Sequence, residues 1–511
     1  MASKNICINS ISYIKSLTQE NTAAYNKYNK YISKVTNKFV NSQYTLLTNI
    51  FNIKNNIAFT ISYTETLLTE TLLDKNNNIY SIPQFLDIFR YLITLPVFIS
   101  SFTINEQHIL QDKLSLNHTK TQCYDFLNKS TLGTKILSIY NSLKYNIIND
   151  LNIKYPSLKF HNLLINSFTS YKILEDLELN IKKLVKFSII WKGNKLDNIL
   201  YLFMYDNDGH DYNTIGTEII KRILFFNEFL NIDTYPDKFI VFLTNNKKEI
   251  DKELIEQIHF KTININTAVT NGTDIIIYRE QELFKSIFHE LIHFHNLDFR
   301  HVSPDILNNI ITHLTTTHNI NKNNEYLLYE CITETLANIL NNIYYSGTIK
   351  EFTNNLKHEI MFSTLQISKI FSICKYKKLS EFSYASGHKN KLTKSSKSSK
   401  QFKQDSCVFS YYILKLYILL NLELYFKNNL TDKLKFIETI YSFNKLIEIF
   451  DASRKNIELE NIINSILKGL NKKSKKSKKS KKPKQFTNKI DTTLRMTCLE
   501  SNIPNISNNS I

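Results

Sequence analysis

The pentapeptide His289-Glu290-Leu291-Ile292-His293 lies in an apolar run over 288–294 and constrains the fold more than any other stretch of this chain. On an α-helix, residues four apart lie on one face a single turn apart. His289 and His293 would then present their imidazoles to one point, with Glu290 turned toward its open side. Two imidazoles so placed suit a divalent metal such as zinc, and a carboxylate beside a metal-bound water suits a general base. The expectation is one zinc ion, with His289 and His293 as ligands and Glu290 as catalytic base.

The flanks support a helix. Over 281–297, Leu283, Phe284, Ile287, Phe288, Leu291 and Ile292 recur at helical spacing, while Glu282, Ser286, His289, His293 and Asn296 form a polar stripe. Two core histidines bonded to backbone or carboxylates would leave the same stripe. The metal site is preferred because two such ligands and a base occur together within five residues.

Two histidines leave zinc short of the three protein ligands that catalytic sites use. The pattern HExxHxxGxxH needs glycine at 296 and histidine at 299, where the chain has Asn296 and Phe299. His295 and His301 qualify by residue type but do not continue the face of His289 and His293. A helix expected over 325–345 offers Glu330 and Glu334 on one face, with Ala337 a turn further on. A solvated acidic face would look the same from sequence.

Here the chain resembles the gluzincin group of metallopeptidases, in which the HExxH helix is followed by a helix that donates a glutamate. Glu334-Thr335-Leu336-Ala337-Asn338 is similar to a Glu-x-x-Ala-Asp context found in several of those families, with asparagine for aspartate. On that resemblance Glu334 is the third ligand. The thermolysin-like pattern ExxxD would instead make Glu330 the ligand and Glu334 its support; Glu334 is the preferred assignment. The resemblance covers about 270–345. It implies zinc-dependent hydrolysis of peptide bonds, a cleft between a sheet-bearing half and a helical half, and an oxyanion-stabilising His, Tyr or Arg from the helical side. Tyr384, His388, Tyr411 and Tyr412 qualify by type and none is singled out.

The rest of the chain reads as a predominantly helical α+β protein, with a zincin-like core containing a small sheet. Among 511 residues only 8 are glycine and 7 proline, which favours long helices over tight turns. Residues 1–182 read as mostly helical, and 57–63 carries helix or strand periodicity. Residues 183–346 read as the catalytic core. Strands are expected at 184–191, 198–204, 238–243 and 274–278, helices at 215–230 and 304–316. Residues 347–470 read as a C-terminal helical subdomain, with helices over 351–375, 408–421 and 432–450 and a basic loop at 385–404. A lysine- and serine-rich linker, 471–489, and a tail, 490–511, complete the chain.

The net charge of +18 suggests a polyanion partner until it is located. Nine lysines and no acid lie in 472–484, and six more in 389–403, so the remaining body is near neutral. Lysine–serine repeats cannot bury apolar area, and they read as disordered segments suited to a nuclear address or weak polyanion binding. A nucleic-acid tether acting through them is one alternative function; a zincin-fold binding or structural protein without activity is another. The tail regains strand-like alternation over 492–499, which suggests that it docks on the body beside the cleft.

The six cysteines are scattered, without CxxC pairs, which fits a reducing compartment. The amino terminus lacks the apolar core of a signal peptide, and the uncharged run at 91–104 is shorter than a membrane span and broken by Pro96. The expected setting is cytoplasmic or nuclear, or a virion, with a protein or peptide substrate and no membrane partner. The abundance of Asn, Lys, Ile and Tyr resembles coding from an AT-rich genome, as in giant DNA viruses or some protists.

Overall fold

The computed structural model describes residues 2–67, 85–139, 171–205, 209, 211–299, 302–320, 326–383, 403–477 and 493–500. They form a predominantly helical α+β fold around a small mixed sheet. Its strands are β1 (Thr60–Leu67), β2 (Ile181–Trp191), β3 (Asn194–Tyr205), β4 (Lys238–Phe242), β5 (His259–Phe260), β6 (Ala268–Asn271), β7 (Asp274–Ile277) and β8 (Lys403–Gln404). The six-stranded sheet has the order β1-β2-β3-β4-β7-β6, and β5 pairs separately with β8.

The four strands expected from 183 onward are β2, β3, β4 and β7. β2 and β3 are antiparallel and turn at Lys192 and Gly193, both with positive φ, the tight-turn geometry that suits strand twist. β3, β4 and β7 run parallel, and helix Tyr212–Leu230 makes the crossover between β3 and β4. Gly216 sits where that helix meets the sheet, because a Cβ there would fall 2.3 Å from the Phe187 ring. β6 turns back from β7 antiparallel and forms one edge of the sheet.

Alternation along the central strands divides the core. Leu200, Leu202, Phe239, Val241, Ile275 and Ile277 face the layer containing Tyr212–Leu230, Leu283–Phe294 and Tyr329–Tyr345. Phe203, Ile240, Phe242 and Ile276 face helices Phe85–Leu92, Ile104–Lys113, Lys120–Lys129 and Tyr171–Asn180. Covering both faces suits the apolar runs of β4 and β7. No described helix is long and apolar enough to cross a membrane, and Pro96 in the 91–104 run begins the short helix Pro96–Ile99.

The amino-terminal residues are built into the rest of the fold. β1 completes one sheet edge beside β2, and Tyr28 on helix Thr22–Ser42 hydrogen-bonds Thr364 at 2.7 Å on the buried helix Ile349–Ile373. Two expectations change further on. The run 408–421 divides into a π-helical segment, Phe409–Leu414, and an α-helix, Lys415–Leu419. Helix Ile457–Ser477 extends through the first lysines of the expected linker, since lysine is a good helix former once an apolar face has anchored the preceding turns. Residues 478–489 and the basic loop at 385–402 lie outside the described residues.

His318 closes the junction between helix Pro304–Thr317 and the π-helical segment, packed against the rings of Phe382, Phe409 and Tyr417. Burial holds its imidazole down at about 3, so it stays neutral in the fold. The unfolded chain protonates it below about 6.5, so stability is lost as pH falls from there toward the folded value. The expected loss is about 2 kcal/mol by pH 5, at roughly 1.4 kcal/mol per unit. Urea unfolding at pH 7.5 and pH 5 checks this: His318→Gln should flatten the pH dependence by that amount.

Candidate metal centre

The motif lies on helix Leu283–Phe294, as expected, and the helix is buried on all sides. Its apolar residues meet the sheet and Tyr212–Leu230 through Phe225, Phe226 and Phe288. Lys285, His289 and His293 face the acidic helix, Tyr329–Tyr345, whose own core side carries Ile332, Leu336, Ile339, Leu340 and Ile343. A buried polar stripe is stable only if its groups find partners, and these do so across the helix pair.

His289 and His293 stand with ring centroids 4.7 Å apart and planes at 86°. The Nε2 atoms of His289 and His293 lie 3.3 and 3.2 Å from Glu330 Oε2. The Nδ1 of His289 lies 3.0 Å from Glu334 Oε2, and that of His293 lies 2.6 Å from Asp298 Oδ2. Carboxylates on both Nδ1 atoms favour the Nδ1–H tautomers and aim both Nε2 lone pairs at the point beside Glu330.

His289, His293 and Glu330 are therefore the group that could hold a metal ion, their ligand atoms all within 4.8 Å of one another. Two imidazole nitrogens and a carboxylate oxygen are a zinc donor set, and ligands at about 2.0–2.1 Å in tetrahedral array lie roughly 3.3–3.4 Å apart. The spacings to Glu330 match. Electrostatics agree: burial works to lower the His289 pKa, yet Glu330, Glu334 and Glu290 overcome it and hold the ring at about 9, so the pocket favours positive charge.

Glu334, the third ligand preferred on the resemblance, is not in this group; Glu330, the alternative, is. Glu334 meets His289 at Nδ1, the nitrogen facing away from Glu330. Its other contacts hold it there: Lys285 Nζ at 2.8 Å and Asn338 Nδ2 at 3.0 Å, with Lys415 Nζ at 3.8 Å. Burial opposes its ionisation, but Lys285, His289 and Lys415 keep the carboxyl well below the usual range. The two glutamates are one turn apart on one face, and helix packing decides which reaches the point between the histidines.

Glu290 is buried beside the pair, and its Oε2 accepts a 2.7 Å hydrogen bond from the Thr270 hydroxyl on edge strand β6. Tyr411 reaches the same place from the π-helical segment, its ring 5.8 Å from that of His289. Burial, with Glu330, Glu290 and Glu334 nearby, pushes the Tyr411 hydroxyl far above its ordinary pKa, so it remains a proton donor. Tyr412 points elsewhere, to the carbonyl of Leu494. His295 stacks on Phe226 with its Nε2 unpartnered, away from the metal-binding group. His301, Tyr384 and His388 lie outside the described residues.

Sequence reading missed Asp298, Lys285, Thr270 and Met496. Lys285 precedes His289 by one helical turn and had a signal in that spacing. Asp298, five residues after His293, had none. Met496 comes from the far end of the chain and, with Lys248, Thr267, Lys285, His289, Glu290 and Tyr411, lines a cavity of only about 20 Å³. No protein-family model, curated protein or solved structure matches the chain.

Proposed function

We propose that this chain is a zinc-dependent metallopeptidase that hydrolyses peptide bonds. The observation that carries the reading is the buried pair of imidazoles, each held at Nδ1 by a carboxylate and turned by Nε2 toward Glu330, with a further carboxylate, Glu290, beside them.

Zinc, when bound, polarises the scissile carbonyl as a Lewis acid and lowers the pKa of its water to about 7. Glu290 takes that water's proton on a carboxylate oxygen and returns it to the leaving amine nitrogen. The Thr270 hydroxyl fixes Glu290 by donating to Oε2. Tyr411, still protonated, donates to the oxyanion that develops at the carbonyl oxygen. β6 is an edge strand, so a substrate in extended form can add to it by main-chain hydrogen bonds beside Glu290. A second reading, a peptide-binding protein built on the same site without turnover, draws on the small cavity that Met496 closes.

The test starts from full-length chain reconstituted with zinc and analysed for metal, with about one zinc per chain expected. Incubated with a peptide mixture, it should generate new amino termini detectable by mass spectrometry, lost on chelation and restored by zinc. A folded, zinc-replete chain that cleaves nothing, even with its tail released, leaves the binding protein as the surviving reading.

A further inference from the structure

Residues Thr493–Glu500 lie in the interior of the molecule. Leu494, Met496, Thr497, Cys498 and Leu499 are buried, and Met496 Sδ lies 3.7 Å from Lys285 Nζ, one turn before His289. Thr493 pairs with Glu249 as an isolated antiparallel bridge, and Leu494 N–H donates to the Lys248 carbonyl at 2.9 Å, so the segment enters by main-chain pairing.

The body packs against its apolar side chains and also bonds its peptide groups. Lys369 Nζ donates to the Thr493 carbonyl at 3.0 Å, the Tyr412 hydroxyl to that of Leu494, Lys415 Nζ to that of Met496 at 2.6 Å, and Asn341 to that of Leu499 at 3.0 Å. Glu282 accepts from the amides of Met496 and Thr497, and Glu359 from the Cys498 amide at 2.9 Å and the Thr497 hydroxyl at 2.9 Å. Glu282 itself adopts a left-handed φ of 63° at the start of the motif helix, a strained position for a residue other than glycine. Lys369, Lys415, Glu282 and Glu359 are all buried. Buried charge is costly unless partnered, and here much of the partnering comes from another segment's main chain.

We infer that this channel is a peptide-recognition groove, and that Thr493–Glu500 is its tethered, displaceable occupant. It reads a peptide segment through the main chain, bent at Met496 and Cys498, and places one unbranched apolar side chain, at the position of Met496, beside the histidine pair. The inference rests on the peptidase reading only for the consequence of occupancy; recognition itself needs no turnover. The substrate class is then a peptide segment with methionine or a similar apolar residue at that position, and Arg495, whose side chain is 18 % exposed, pairs with Glu500 inside the same segment, so it is not part of the selection. Residues 478–492 link the occupant covalently to the body, and a covalent link makes rebinding intramolecular, with an effective concentration on the order of millimolar. A peptide in trans therefore competes poorly until the tether is cut.

The experiment uses the full chain with a site-specific protease sequence placed within 478–489 and cut after purification. The probe is a fluorescent synthetic peptide of residues 491–501, DTTLRMTCLES, followed by anisotropy with and without zinc. The cut chain is expected to exchange its own tail for the probe saturably. Unlabelled peptide carrying Met496→Ala should compete at least tenfold more weakly than the parent, and Arg495→Ala within about threefold. As a second measurement, the uncut chain with Met496→Glu should bind the probe while the uncut parent does not. Failure of exchange, equal competition by the Met496→Ala and parent peptides, or loss of the folded state on releasing the tail would each overturn the inference. Binding without hydrolysis would leave the groove standing and remove the peptidase; hydrolysis indifferent to the tail and the probe would do the reverse.

Discussion

Glu290→Gln should retain about one zinc per chain and lose peptide hydrolysis by roughly 10²–10⁴-fold, the usual contribution of a positioned acid–base group. The substitution is nearly isosteric, and Glu290 is not among the grouped ligand atoms, so metal uptake is unaffected. Its Oε2 accepts from Thr270, and the amide oxygen of glutamine can keep that bond. What disappears is the basic oxygen that, in the proposed mechanism, carries the proton from water to amine. Elemental analysis beside initial rates on one peptide separates the effects. A variant that hydrolyses at the parent rate ends the assignment of Glu290 as base, and one that loses its zinc places Glu290 in the metal site itself.

Glu330→Ala and Glu334→Ala should fail in different ways. Removing Glu330 takes away a ligand oxygen; if about 10 kcal/mol of zinc affinity is shared among three ligands, the loss is about 3 kcal/mol, or roughly 10²-fold or more. Removing Glu334 leaves Lys285 unpaired in the interior and Lys415 without its nearest carboxylate, and breaking a buried ion pair from one side typically costs about 3–5 kcal/mol of stability. It also frees the Nδ1 side of His289, for which losses of a supporting partner run to about 10–100-fold in metal affinity. Chelator competition and urea unfolding of the metal-free proteins therefore give opposite rankings: Glu330→Ala is worse for zinc, Glu334→Ala worse for stability. If Glu334→Ala is the more harmful to zinc binding and leaves stability unchanged, the two carboxylates have been assigned the wrong way round.

The parts of this arrangement legible in sequence are those encoded by local periodicity. His289 and His293 announce themselves by spacing, β2, β3, β4 and β7 by short branched and aromatic runs, and the acidic helix by its two glutamates and apolar stripe. The rotation of one helix against another is not written in either helix. Glu330 and Glu334 offer the same chemistry one turn apart, and only packing of Tyr329–Tyr345 on the motif helix decides which meets the Nε2 and which the Nδ1 of His289. Asp298 was hidden for another reason: it reaches His293 from beyond the helix end, where no repeat applies. Met496 lies some two hundred residues from Lys285, so their contact leaves no periodic trace at all.

The docked strand also imposes an order of events on biosynthesis. Thr493–Glu500 leave the ribosome after every residue they touch, and domains generally begin to fold as they emerge. Until then Lys369, Lys415, Glu282 and Glu359 lack the peptide groups that partner them in the finished molecule, and water must serve in their place. Until that segment emerges the nascent chain thus carries a hydrated, open groove, and the interior is sealed only when the segment arrives. A ribosome stalled within the lysine-rich stretch would display that open state.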